Sequence, residues 1–337
     1  MSTDSKPKLL VILGPTAVGK SDLAVQVAEW VYAGASSTSN PHRSIAMQKN
    51  GKNADVSNYS AAEIISADSR QVYTGLDIGT GKITSTEMRG IPHHLLDVAD
   101  PHERFTAIQW KQLAEKAIAD ITSRGNLPII CGGTGFYIST LIDNLGFPDV
   151  EADTEEQKKL EAKSVDELFL ELKKVDPNRS STIDPKNKRR LARAIIIARA
   201  LGAVPPITKP TEAPYDVCII GVNLPDEKLK ERIHARLIQR LDAGMIEEAR
   251  RLNTPAPEGA NLSFERMEEL GLEYRYLAYF LKNKLTHEEL IERLSTKIWQ
   301  YAKRQMTWFK RDTRIKWFAP DQSKEIKELV KGFLGCK

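Results

Sequence analysis

The chain has 337 residues, 41% hydrophobic and 28% charged, with a formal net charge of +4. That is ample for a packed core of one large domain or two smaller ones, and too mild a charge to name a partner by itself. No apolar run approaches the roughly eighteen residues of a membrane span, and the N-terminus "MSTDSKPK" is polar, which argues against a transmembrane helix or targeting peptide. Cys131, Cys218 and Cys336 stand far apart without CxxC or Cys–His finger spacing, which excludes a disulfide framework and a structural zinc. A cytoplasmic protein, with no membrane partner and expected to be a monomer, fits these constraints.

In chain order, "KLLVILGPTAVGKSDLAVQVAEWV" predicts strand, glycine-rich turn and helix. A polar excursion at about 33–62 comes next, without sustained period. "AEIISADS" and "LPIICGGTG" predict short buried strands of a parallel sheet, and "ERFTAIQWKQLAEKAIADITSRG" between them has helical periodicity ending at Gly125. Residues 151–201 are charged and helical in pattern, broken at "VDPNRSSTIDPKN"; "YDVCIIGVNLP" is one more core strand. From Asp226 the pattern is helical to about residue 311, apart from a Pro/Gly-rich turn near 254–260. The expectation is an α/β fold: a P-loop NTPase-like, three-layer parallel sheet with an inserted helical region and a helical C-terminal part. Its parts are a core at 8–145, an insertion at 146–200, a return to the core at 201–318 and a tail at 319–337.

The turn "GPTAVGKS" has the GxxxxGK(S/T) spacing of a phosphate-binding loop. Such a loop wraps backbone N–H groups around an anion at a helix N-terminus, where the helix dipole also favours negative charge. Gly14, Thr16, Ala17, Val18 and Gly19 supply the loop, Lys20 a point charge and Ser21 a hydroxyl ligand for Mg²⁺. Evidence for a nucleotide is poorer. The base-reading NKxD of GTPases is absent, "LPIICGGTG" ends in glycines rather than a metal-holding Asp, and Asp97 in "HHLLDV" is a weak substitute.

Further features bear polar chemistry. Asp68 in "ISADSRQVY" lies just past a strand and should reach the end of the sheet where the phosphate loop opens; it could hold Mg²⁺, cap a helix or accept a proton. Ser69, Arg70 and Gln71 beside it suit a base or a helix cap equally. Thr134 in "GGTG" places a hydroxyl at the same end. Arg232, Arg236 and Arg240 fall at i, i+4 and i+8 on one helix face, an anion site or a salt-bridged surface. Basic runs at 186–199 and 297–316 are either solvated faces or RNA contacts; the second interleaves Trp299, Tyr301, Trp308 and Phe309 with its cations, which suits stacking on bases or anchoring to a core.

Together "GPTAVGKS", "IISADSRQVYTGLDIGTGK", "IPHHLLDVADP", "PIICGGTGFYI", "DPKNKRRLARA", "RIHARL" and "YAKRQMTWF" resemble the tRNA dimethylallyltransferases, or tRNA isopentenyltransferases, in family order from about residue 8 to 311. The resemblance implies transfer of a dimethylallyl group from dimethylallyl diphosphate to N6 of adenosine 37 in tRNAs reading codons that start with U. It assigns the proton-accepting role to Asp68, and stabilisation of the leaving diphosphate to the loop backbone, Lys20, Thr134 and an arginine of "RIHARL", with Arg236 favoured over Arg232. Ser21 and Mg²⁺ hold the diphosphate, and Thr16 lies near the prenyl and adenine groups. Asp68, Ser69, Arg70 and Gln71, with Arg189, Arg190, Arg193, Lys303, Arg304 and Gln305, match regions that grip the tRNA anticodon stem-loop.

The chain departs from the family pattern in places. The 33–62 excursion replaces a short turn, Gln157 stands where many members have arginine, and "LGLEYR" replaces the common "IGYKE". The absence of a C-terminal Cys–His finger resembles the bacterial type. The alternatives are an adenylate isopentenyltransferase acting on free AMP, ADP or ATP, a P-loop kinase, and a non-catalytic RNA-binding protein. "GGTG" and "YAKRQMTWF" favour the tRNA branch.

Overall fold

The computed structural model describes residues 6–34, 59–148, 150, 154–206 and 212–335. Most of the polar excursion and Cys336 lie outside them. The chain divides into two compact units, Met1–Ile142 with Ala213–Lys337, and Asp143–Glu212.

In the first unit, strand β1 (Lys8–Leu13) leads through the glycine-rich turn into helix α1 (Lys20–Gly34). Strand β2 (Ala62–Ser66), the single turn α2 (Ser85–Met88), strand β3 (His93–His94), helix α3 (Ala107–Ser123), strand β4 (Leu127–Gly132) and helix α4 (Gly135–Ile142) come after it. The inner strands are short apolar runs because both faces are covered, so no alternation survives: every residue of β2 and β4 is buried. Helix α3 starts where Thr106 accepts the Gln109 N–H and the Gln109 side chain returns to the Thr106 N–H. Its Trp110 lies fully buried, donates to Ser66 O at 2.9 Å and stacks on Tyr137 with centroids 4.9 Å apart.

The second unit holds helices α5 (Thr154–Ala162), α6 (Val165–Val175), α7 (Pro177–Thr182) and α8 (Lys188–Leu201). Its separate core gathers Leu160, Leu168, Leu172, Ile183, Leu191 and Ile195. The expected break at 175–187 contains α7. Asp176, 5% exposed, caps it by accepting the Arg179 N–H at 2.8 Å, and its other oxygen takes the Val204 N–H at 2.7 Å.

The chain returns in strand β5 (Asp216–Val222) and then helices α9 (Asp226–Asp242), α10 (Met245–Asn253), α11 (Phe264–Leu270), α12 (Leu272–Leu281) and α13 (His287–Phe309). Strand β6 (Lys316–Phe318) joins the sheet edge at the end of the returning part, and the stretch read as a tail carries helix α14 (Ser323–Leu334), which buries Ile326, Val330 and Leu334. The sheet is six-stranded in the order β3-β2-β4-β1-β5-β6, with every pairing parallel. Because β4 inserts between β1 and β2, Leu13 pairs with Gly132 and Ser66 with Cys131. Three strand ends are therefore level, and the residues just beyond each are delivered to one place.

Candidate active site

The phosphate loop leaves β1 at Gly14, whose φ of +152° and whose close approach to Val222 exclude a side chain: a Cβ there would lie 2.3 Å from Val222 O. Lys20 opens α1 and folds back to donate to Pro15 O at 2.7 Å. Burial brings its ammonium down to about 8; the Cys131 and Asp68 side chains oppose that shift, and the Arg236 charge adds to it. Ser21 is exposed at the start of α1. Beneath it, burial pushes the Cys131 thiol up to about 11, so it stays protonated.

Asp68 and Thr134 sit just past the ends of β2 and β4. The Asp68 Oδ1 accepts the N–H of Arg70 at 2.8 Å and of Gln71 at 3.4 Å, which closes the turn; Oδ2 has no partner among the described residues. Of the three roles open to Asp68, helix capping does not apply, since no helix starts there: one oxygen closes a turn and the other stays available. The Ser69 N–H donates to Thr134 Oγ1 at 3.0 Å, leaving the threonine's own proton free to be donated.

Of the helix α9 arginines, Arg232 and Arg236 lie along this mouth without a salt bridge among the described residues, whereas Arg240 is ion-paired. Arg232 Nη1 donates to Val18 O at 3.3 Å, and Arg236 Nη2 to Gly81 O at 3.2 Å. Burial, with the Arg240 charge adding to it, lowers the Arg236 guanidinium to about 10. Lys20, Arg232 and Arg236 each bond only to a backbone carbonyl, and none forms an ion pair among the described residues. A cluster of cations left without carboxylates, at a helix N-terminus, is arranged for an anion.

A cleft of about 270 Å³ opens alongside, lined by Thr16, Asp68, Arg70, Glu273, Tyr301 and Arg304 among others. Sequence reasoning misses two of its walls. Arg240 Nη1 meets Glu273 Oε1 at 3.4 Å, with the two side chains only 12% and 14% exposed. Burial raises the Glu273 carboxyl against the opposing pull of Arg240. Tyr301 stands out in the sequence only as one member of an aromatic run.

The structure corrects one assignment and accounts for the weak candidate Asp97 otherwise. Gln305, read as a tRNA contact, is 6% exposed. Its Oε1 accepts the Thr16 N–H at 2.9 Å and its Nε2 donates to Gly133 O at 2.8 Å, so it ties the phosphate loop to the GGTG turn and has no end left for RNA. Asp97, the substitute metal carboxylate, is ion-paired with Lys82, which also holds Asp77. Lys303 and Arg304 are exposed, Lys303 Nζ lying 5.9 Å from the Trp299 ring centre and the Arg304 guanidinium 5.8 Å from that of Tyr301. Gln71 is turned inward, donating to Gly81 O at 3.1 Å. In the second unit Arg189 and Arg190 are exposed on the first turn of α8, whereas the half-buried Arg193 donates to Val150 O at 2.6 Å. Gln157 there donates to Glu161 at 2.6 Å. Of the α13 aromatics, Phe309 is buried and Trp308 packs edge-on to Phe136 with centroids 6.2 Å apart, so part of the run anchors the core.

Residues 71–312 match the family model described as IPP transferase. The chain belongs to the IPP transferase family. A tRNA dimethylallyltransferase of Anoxybacillus flavithermus is 38% identical over 316 residues, covering 92% of this chain and 90% of the relative. One from Syntrophomonas wolfei is 34% identical over 329 residues, covering 96% and 95%. Among solved structures, a full-length tRNA isopentenylpyrophosphate transferase from Bacillus halodurans aligns with a TM-score of 0.65 at 32% identity, over 98% of this chain and 97% of its own. A eukaryotic dimethylallyltransferase acting on tRNA aligns with a TM-score of 0.69 at 25% identity, over 94% and 75%. These IPP transferases share the parallel α/β fold described above. No helix among the described residues is long and apolar enough to cross a membrane.

Proposed function

We propose that this IPP transferase moves a dimethylallyl group from dimethylallyl diphosphate to the N6 amine of adenosine 37 in a tRNA anticodon loop, releasing diphosphate. The observation that carries this reading is the juxtaposition of Asp68, with one carboxylate oxygen free, and a phosphate loop whose cations Lys20, Arg232 and Arg236 have no carboxylate partners among the described residues. Full-length similarity to tRNA dimethylallyltransferases supports it.

The adenine amine is a poor nucleophile because its lone pair is delocalised into the ring. As that pair forms the bond to the allylic carbon, the carbon–oxygen bond to diphosphate breaks and the N6 proton passes to Asp68 Oδ2. Negative charge then develops on the bridging oxygen. The loop amides, Lys20, Arg236 and the Thr134 hydroxyl are fixed donors that stabilise it without reorganising. Gln305 keeps the loop and Thr134 in register across the cleft.

The residues present fit Mg²⁺ held by Ser21 and the substrate's own phosphate oxygens, since this ion binds few protein ligands and retains waters. Mg²⁺ would neutralise phosphate charge. Asp97, the weak substitute for the metal-holding Asp of nucleotide hydrolases, is engaged by Lys82, which favours a donor whose diphosphate leaves over one whose phosphate is transferred. Lys303 and Arg304, and separately Arg189 and Arg190, supply exposed cations for RNA phosphates.

The test is incubation with radiolabelled dimethylallyl diphosphate and either tRNA or AMP, without ATP. Label in tRNA is the expected result. Label in AMP alone would transfer the assignment to adenylate prenylation, and label in neither refutes prenyl transfer.

A further inference from the structure

Glu248 takes no part in the chemistry above, yet it is a glutamate only 2% exposed on α10. Its Oε2 accepts the N–H groups of Asp77 at 3.0 Å and Ile78 at 2.7 Å. Its Oε1 accepts the N–H of Gly79 at 2.9 Å and the hydroxyl of Tyr274 at 2.7 Å. Burial and the adjacent carboxylate push the Tyr274 hydroxyl well up, so it remains a donor. A carboxylate taken out of water is tolerable only when its oxygens are satisfied, and here consecutive amides of one loop do most of that.

That loop runs on to Gly81, whose carbonyl is shared. It accepts Arg236 Nη2 at 3.2 Å and Gln71 Nε2 at 3.1 Å, and the Gln71 N–H in turn closes the Asp68 turn at 3.4 Å. The packing is close: with φ at +59°, Gly81 faces the arginines so nearly that a Cβ would lie 2.7 Å from Arg236 Nη2 and 1.8 Å from Arg240 Nη2. The loop is pinned from its other side by Lys82, which donates to Tyr73 O at 3.0 Å and Asp77 Oδ1 at 2.6 Å. Only Thr80 separates the amides held by Glu248 from Gly81, and the Gly81 carbonyl is the sole hydrogen-bond acceptor found for Arg236 among the described residues.

We infer that Glu248 is a positioning residue for the diphosphate arginine: by holding the amides of residues 77–79 it sets the Gly81 carbonyl, which aims Arg236 and, through Gln71, supports the Asp68 turn. The inference rests on the diphosphate reading of the site.

Two variants test it. Glu248→Gln keeps the shape but places an NH₂ group where amide donors point, so part of the clamp is lost. Tyr274→Phe removes one donor and leaves the amide bonds. After cooperative thermal unfolding is verified, the measurements are calorimetric binding of inorganic diphosphate with Mg²⁺, and separate KM values for donor and tRNA. Glu248→Gln is expected to weaken diphosphate binding roughly tenfold, the scale of one displaced charged hydrogen bond, and to raise the donor KM in step. The tRNA KM should stay within about twofold, and Tyr274→Phe should shift in the same direction by roughly twofold to threefold. A merely structural glutamate would lower the melting temperature and leave diphosphate affinity and donor KM at wild-type values, which overturns the inference. If Glu248→Gln does not unfold cooperatively, wild-type diphosphate affinity in Tyr274→Phe overturns it alone. Wild-type protein that fails to bind diphosphate refutes the reading of the site itself, a different failure.

Discussion

Replacing Asp68 by asparagine separates the two jobs its carboxylate performs. Oδ1 closes the turn by accepting the Arg70 and Gln71 N–H groups at 2.8 and 3.4 Å, and an amide oxygen can accept both. The fold and the cleft should therefore survive, with a stability change below about 1 kcal/mol. Oδ2, without a partner among the described residues, is what asparagine cannot reproduce: an NH₂ group neither takes the N6 proton nor accepts a hydrogen bond from the amine. A positioned general base typically contributes about 10²–10⁴ in rate, so single-turnover transfer of labelled dimethylallyl to tRNA should fall by that factor, about 2.7–5.5 kcal/mol of barrier. Filter binding of tRNA should change little. Asp68→Ala removes the turn bonds too and should also lose about 1 kcal/mol of stability. An Asp68→Asn enzyme whose single-turnover rate lies within about threefold of wild type would remove Asp68 from proton transfer.

Burial of Lys20 gives the donor site a pH dependence of known sign. The lysine, lowered to about 8, is half deprotonated near that pH in the free protein and mostly neutral above it, and an anion binds only the charged form well, so binding must take that proton back. The KM for dimethylallyl diphosphate, whose terminal phosphate is already ionised there, should rise by up to roughly tenfold per pH unit above that point while the tRNA KM stays level; a flat donor profile to about pH 9.5 contradicts the placement. Arg240→Met strands the Glu273 carboxylate, at a cost of about 3–5 kcal/mol in the way of a half-broken buried pair, and Glu273→Leu in the same chain should recover most of it. Since burial raises the folded-state Glu273 carboxyl above its ordinary value, the folded single variant binds the extra proton; its melting-temperature deficit relative to wild type should be smallest at low pH and grow as pH rises through the raised value. Finally, tRNA affinity should fall with salt, and Lys303→Gln with Arg304→Gln should flatten the log–log slope by roughly 1.5; an unchanged slope removes these side chains from the RNA contact.

The parts of the site legible in the sequence are those set by local chemistry. Strands β1, β2 and β4 are apolar runs ending in glycines or polar side chains, so both the strands and the weight of the residues at their C-terminal ends are visible. That Gly14, Asp68 and Thr134 converge is only an expectation at that level, because it depends on β4 pairing between β1 and β2 with level ends. Strand β6 escapes notice because its three residues carry no period; it is held by Trp317 packing over Gly221, a contact distant in sequence.

The misreading of Gln305 has a different origin, and helix phase could have prevented it. Its neighbours Lys303 and Arg304 suggest RNA, but α13 buries Ile298, Ala302, Gln305 and Phe309, a single stripe at helical spacing. Glu248 breaks the same rule on α10, where the buried residues are Met245, Glu248, Ala249 and Leu252. A polar residue on an apolar stripe needs internal partners, because burial without them is costly. Both residues find those partners in backbone groups of loops that carry the site, Gln305 on the phosphate loop and Glu248 on the loop beneath Arg236. Polar intruders in helix stripes are thus where the scaffold meets the chemistry. They explain how helices far along the chain hold a phosphate loop whose proposed guest departs as diphosphate.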